Sequence, residues 1–197
     1  VGLYSVFISQ QKQSSSQRLY SDLQNDLRFA MDYMKNELFL AGGGATAADQ
    51  PITTANANAI TFEYWDANAA PTPPYDHHVR VTYSLTADAT GTNSLLRTHQ
   101  KYSASATPPN PQYDPSTTVT EVLARHVTGL NFAYRMGDNV AYTIGTSNPE
   151  DIRTVRISLS GRSRRPDPSL KNPSTGLPYH RTLTLTGEVK SRNLAIA

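Results

Sequence analysis

The residues best suited to chemistry in this chain are scattered. Asp76-His77-His78 is the one place where a carboxylate adjoins imidazoles, while His99, His126 and His180 stand alone. A metal ion needs ligands that converge, and neighbouring residues of an extended segment point to opposite faces, so this triplet reads as a loop with exposed imidazoles. No serine sits in a Gly-x-Ser-x-Gly elbow, and neither a phosphate-binding loop nor a dinucleotide fingerprint is present. Cysteine is absent. That excludes thiol catalysis, zinc thiolates and disulfides, and leaves the redox compartment open. The expectation is a chain with no catalytic residues, no cofactor, no small-molecule substrate and no metal requirement.

Two further stretches carry charge or oxygen ligands. Gly137-Asp138-Asn139 and Asn148-Pro149-Glu150-Asp151 offer oxygens of the kind calcium takes, but their spacing matches no EF-hand loop and reads as a solvated turn. Arg162, Arg164, Arg165, Lys171 and Arg181 form a basic group that would be the nucleic-acid contact if there were one. The formal charge of +2 conceals an asymmetry: residues 1–151 hold 9 Lys and Arg against 14 Asp and Glu, and residues 152–197 hold 9 against 2. Such a split fits nucleic-acid contact, head-to-tail packing of subunits, or plain solvated surface. The tyrosines read first as packing aromatics of a sheet.

The element that must organise these residues is the first forty residues. Leu19, Leu23, Leu27, Ala30, Met34, Leu38 and Ala41 follow the repeat that keeps one stripe of an α-helix against one partner. No proline or glycine interrupts Leu3 to Ala41, and Gly42-Gly43-Gly44 ends the run. Before the stripe, Val1 to Ile8 is apolar and Gln10 to Arg18 is polar on every face. Eight apolar residues are too few to cross a bilayer, which takes about 20. The segment reads as the last turns of a hydrophobic helix begun upstream, or else as an amphipathic helix with a ragged start. Residues up to about Ser16 are therefore expected to project without a partner in the isolated chain.

The remainder reads as β-rich. Ile60, Phe62 and Tyr64 alternate with polar neighbours, as do Val79, Val81, Tyr83 and Leu85, and Asn93–His99 follows as a hairpin partner. Val119–Val127 has a mixed period that fits a short helix or a strand. Leu130, Phe132 and Tyr134, then Ile152–Leu159, and finally Arg181–Val189 alternate again. Gly42–Asn58, Asp66–Asp76, Lys101–Thr118 and the basic, proline-rich Arg162–Tyr179 read as loops. One long helix followed by six or seven strands predicts an α+β fold with the helix covering a sheet. The division is a helical segment, 1–41, and a β-rich globular domain, 42–197.

The order of these pieces resembles type IV pilin-like proteins, in particular minor pilins of the PilW type and J-type pseudopilins of type II secretion. The likeness rests on RFAMDYMKNELFLAGG, ITFEYWD, VRVTYSL followed by LLR, EVLARHVTGLNFAY, VRISLSGRSR and TLTLTGEVKSRNL, which together span nearly the whole chain. It implies a long N-terminal helix on antiparallel β-sheet, and a subunit of a filament or its tip complex. The inner membrane and other pilins would be partners, with the globular domain periplasmic or on the filament surface. The processing site and most of the membrane helix of that family would lie before Val1. Related minor pilins often carry a cysteine after the helix; Gly42-Gly43-Gly44-Ala45 stands there instead, so no disulfide carries over. The helical spacing assigns packing or assembly to Leu3, Phe7, Ile8, Leu19, Leu23, Leu27, Met34 and Leu38, of which Leu23, Leu27, Met34 and Leu38 are expected to face the chain's own sheet.

Overall fold

An uninterrupted run of helix-compatible residues produces one helix, α1, Gly2–Leu40, of 39 residues, which at 1.5 Å per residue is about 58 Å long. The computed structural model describes residues 2–43, 52–66, 75–87, 92–103, 112–144 and 148–190. The helix stops where Gly42 takes φ 76°, a left-handed conformation that glycine adopts without a Cβ clash. The freed backbone groups are then taken up by the sheet: Gly42 N–H donates to the Glu63 carbonyl at 2.8 Å and Trp65 N–H to the Gly43 carbonyl at 2.8 Å. The C-terminal end of α1 is thereby hydrogen-bonded to a strand.

Ten strands follow among the described residues: β1 Ile52–Ala55, β2 Ala59–Trp65, β3 Tyr75–Ala87, β4 Asn93–Ser103, β5 Gln112–Tyr113, β6 Val119–Met136, β7 Ile152–Arg162, β8 Asp167–Lys171, β9 Pro178–Tyr179 and β10 Thr182–Lys190. Eight of them form one sheet in the order β1-β2-β3-β4-β6-β7-β10, with β5 on the end of β4. Every described pairing is antiparallel. The remaining two, β8 and β9, make a separate hairpin between β7 and β10.

Alternation sorts the large sheet into two faces. Rows such as Leu130–Leu159–Leu185 and Tyr134–Val155–Val189 face the helix. They join Leu23, Leu27, Ala30, Met31, Met34 and Leu38 in one core with Ile60, Phe62, Val81, Tyr83 and Leu95. The far face stays polar, with cross-strand hydroxyl contacts between Thr61 and Thr82 at 3.0 Å and Thr98 and Thr120 at 3.2 Å. Two glycines let the helix lie close. A Cβ at Gly161 would stand 3.0 Å from Leu27 Cδ2, and one at Gly187 would stand 3.0 Å from Met31 Sδ.

Several expectations change. The mixed period of Val119–Val127 belongs to β6, an 18-residue strand. Its register shifts between Val127 and Gly129, and His126 takes φ 58°. A bulge inserts residues into the alternation, which is why the buried positions Ala124, Val127 and Leu130 come three apart. Part of the expected loop Gly42–Asn58 is the edge strand β1, and part of Lys101–Thr118 belongs to β4 and β5. Asp88-Ala89-Thr90-Gly91, which the sequence offers as the turn into Asn93–His99, lies outside the described residues. Arg162–Tyr179 is not simply a loop, since it contains the hairpin β8–β9.

Candidate assembly interface

The eight helix residues expected to mediate packing divide by depth. Leu23, Leu27, Met34 and Leu38 are buried in the chain's own core, and Met31 joins them although it lies off the simple stripe. Ile8 and Leu19 are half-buried. Leu3 is 90% exposed and Phe7 61%, and Tyr4 and Val6 beside them are exposed too. Leu3, Tyr4, Val6 and Phe7 thus form an exposed apolar patch at one end of the helix, a candidate interaction surface. Among the described residues, no helix is long and apolar enough to cross a membrane.

The expectation that the helix lacks a partner up to about Ser16 is corrected by a polar clamp. Ser16 is buried, and its hydroxyl donates to Asp167 Oδ2 at 2.6 Å and lies 3.0 Å from Ser169 Oγ. Asp167 is fully buried at 0% exposure. It also accepts from the Ser169 amide at 2.8 Å, the Ser169 hydroxyl at 2.7 Å and Arg181 Nε at 2.8 Å. Burial alone would raise the Asp167 pKa, but the hydrogen bonds from Ser16, Ser169 and Arg181 outweigh it and hold the carboxyl at about 2. A buried carboxylate is tolerated here because its oxygens are supplied with donors and a cation. The hairpin β8–β9 thus grips the helix at Ser16, above an end that remains uncovered.

A second polar centre ties down the other end of the helix. Glu37 is 8% exposed and accepts from Arg97 Nη2 at 2.6 Å, Arg97 Nε at 3.0 Å and Tyr64 OH at 3.1 Å. Tyr83 OH donates to Glu37 Oε2, the oxygen that also accepts from Arg97 Nε. Arg97 goes on to Glu121 at 3.0 Å and to His99 Nδ1 at 2.7 Å, and lies 5.5 Å from the centre of the Tyr33 ring. Burial, and then Glu37, push the Tyr64 and Tyr83 hydroxyls well above the ordinary tyrosine range, so both remain donors. Guanidinium cannot accept, so His99 Nδ1 must, which requires a neutral ring. Burial and the Arg97 charge accordingly lower the His99 pKa.

The five basic residues do not form one surface. Arg181 is bound to Asp167, donates from Nη2 to Ser16 at 3.0 Å and lies 5.5 Å over the Tyr20 ring. Arg162, Arg164 and Arg165 line a cleft with Arg125 and His126, and its other wall is the helix with Asp22 and Asp26. Lys171 is exposed on β8. Two carboxylates opposite the arginines work against a phosphate backbone.

Elsewhere the candidate ligands are occupied with structure. His78 packs edge-on against Trp65 at 4.9 Å and Tyr102 at 5.8 Å between ring centres. The Asp76 and His77 side chains lie outside the description. Asp138 Oδ1 accepts from the Val140 amide at 3.0 Å, and Asn139 Oδ1 accepts from Arg135 at 3.0 Å, so these oxygens close the turn. Among the described residues no three His, Asp or Glu side chains come together as a metal site.

Sequence reasoning missed the clamp and the Glu37 centre. Ser16 and Asp167 are 151 positions apart, and Glu37 and Arg97 are 60 apart, so no local pattern joins them. One signal was available. Leu95, Arg97 and His99 alternate along β4, which puts the arginine and the histidine on the face of a core leucine.

With this geometry in hand, the chain can be set beside known proteins. No protein-family model matches it, and no curated protein matches it. Among solved structures it is similar to a type IV-like pilin from Thermus thermophilus, with a TM-score of 0.54 and 13% identity over 89% of this chain and 100% of that one. The fold is therefore type IV pilin-like α+β: a long N-terminal helix packed on a large antiparallel sheet.

Proposed function

We propose that the chain is a structural subunit of a type IV pilus or a type II secretion pseudopilus. In this reading it is a minor pilin, of the PilW type or the J-type pseudopilin kind, that packs helix-to-helix into the filament or its initiating tip complex. Before assembly it is held at the bacterial inner membrane through its N-terminal helix, with the globular domain in the periplasm. The role is structural rather than catalytic. The observation that carries this is the uncovered end of α1: Leu3, Tyr4, Val6 and Phe7 are exposed on a helix whose C-terminal half is fixed to its own sheet.

A nucleic-acid surface on Arg162, Arg164, Arg165, Lys171 and Arg181 is the second reading and is not favoured. Arg181 is engaged by Asp167, and Asp22 and Asp26 stand across the cleft from the other arginines. Any such binding would be weak and steeply salt-dependent.

Photo-crosslinking in cells that build the filament tests the main reading. A crosslinker at Phe7 should capture other pilin subunits in the assembled fraction, while one at Thr184 on the far face of the sheet should not. Assembled filaments that give no crosslink from Phe7, or that incorporate a Leu3→Asp, Phe7→Asp chain normally, would reject it.

A further inference from the structure

The charge around the uncovered helix end is one-sided. The first 21 residues contain neither Asp nor Glu. Between Ile152 and Gly187 the sole acidic residue is Asp167, which is fully buried and paired with Arg181. Lys12 and Arg18 on the helix and Lys171 on β8 are exposed. Lys12 lines a groove of about 760 Å³ together with Ser16, Tyr20, Ser169 and Arg181, which places the helix cation beside the hairpin. Arg164 and Arg165 stand further along α1, opposite Asp22 and Asp26, and are not part of this group.

We infer that Lys12, Arg18 and Lys171, held together by the clamp, form a basic collar that contacts the anionic phospholipid headgroups of the membrane in which the apolar helix end rests. This rests on the membrane stage of the proposed function and adds the lipid chemistry. Lys12 lies five residues beyond Phe7, about 7.5 Å along the axis. The polar layer of one leaflet is roughly 5–8 Å thick. With Leu3 to Phe7 in the acyl region, Lys12 is therefore at headgroup level. Arg18 follows about 16 Å from Phe7, which a Debye length of about 8 Å beyond the headgroups still covers. On the helix the first exposed carboxylate is Asp22, one turn past Arg18 and further from the headgroups than Lys12 or Arg18. The clamp has a definite part in the design. By burying Asp167 against Ser16, Ser169 and Arg181, it brings the hairpin with Lys171 to the helix and hides the segment's one negative charge.

The test uses the whole chain with two kinds of vesicle, phosphatidylcholine alone and an equimolar mixture with phosphatidylglycerol, read by co-sedimentation. Binding should be stronger to the mixture and should weaken with salt. Lys12→Gln, Arg18→Gln and Lys171→Gln should each lower affinity for the mixture about five-fold, the equivalent of about 1 kcal/mol per cation, and leave binding to phosphatidylcholine alone unchanged. Leu3→Ser with Phe7→Ser should abolish binding to both. Equal binding to the two vesicles, or an unaltered triple glutamine variant, overturns the collar while the membrane stage stands. No binding to either vesicle removes the membrane stage and the collar with it. Displacement by duplex DNA at physiological salt, or by inorganic phosphate at matched ionic strength, would make the site a polyanion or free-anion site and also overturns the inference.

Discussion

Arg97 holds four groups at once: Glu37 from α1, Glu121 from β6, His99 on its own strand and the Tyr33 ring. Because Glu37 and Arg97 are both buried, removing one strands the other. Glu37→Ala should therefore destabilise the fold by about 3–5 kcal/mol, measured by urea unfolding, whereas Glu188→Ala, in an exposed pair with Arg156, should cost about 0–1 kcal/mol. His99 makes the centre sensitive to pH. Its folded-state pKa is lowered, so the neutral ring is the form the fold prefers. The contribution is fully present above the ordinary histidine value of about 6.5, and is lost as pH falls from there through the lower folded-state value. Wild-type stability should decline over that acidic interval, and His99→Gln should flatten the decline. An equal slope in both proteins would show that His99 titrates alike in the folded and unfolded states and does not set the acid sensitivity. Beyond the alternation of Arg97 and His99 with Leu95, none of this was legible residue by residue, because the partner of the cation lies 60 positions away.

At the scale of elements, the reading succeeded where one period ran without interruption. Leu23, Leu27, Met34 and Leu38 repeat with the turn of a helix, and Val79, Val81 and Tyr83 repeat with the pleat of a strand; both sets are buried. It left helix or strand open where a bulge shifted the register in β6, and it missed a short hairpin inside a basic, proline-rich segment. It also failed at Ser16, whose polar neighbours suggested an unsupported linker. Hydrogen exchange separates these regions. Amides of α1 should exchange slowly from about Ser16 to Leu38 and quickly before it. Asp167→Ala should carry the fast region forward towards Leu23, because Ser16 and Arg181 lose the carboxylate between them. If the boundary does not move, the hairpin does not restrain the helix, and the half-buried Leu19 already supplies the stop.

For the whole molecule, the first element and the last are neighbours. The helix lies against β10, where Gly187 passes beneath Met31 and Lys35. A chain ending before Thr182 lacks that strand, and it should remain largely unfolded by circular dichroism and bind a dye that reports exposed apolar surface. A cooperative melt in that truncated chain would show that β10 is dispensable.

The same contact sets the order of events as the chain emerges from the ribosome. Leu27 and Met31 are made early, yet the strands that finish their cover, β7 and β10, come more than a hundred residues later. Contacts so distant in sequence form slowly, since the long loop must close before they return any stability. Through most of synthesis the helix carries its greasy stripe without a sheet to lie on, a state prone to sticking to its neighbours. Such a chain should need a chaperone, or an early lodging for the helix, until β10 arrives.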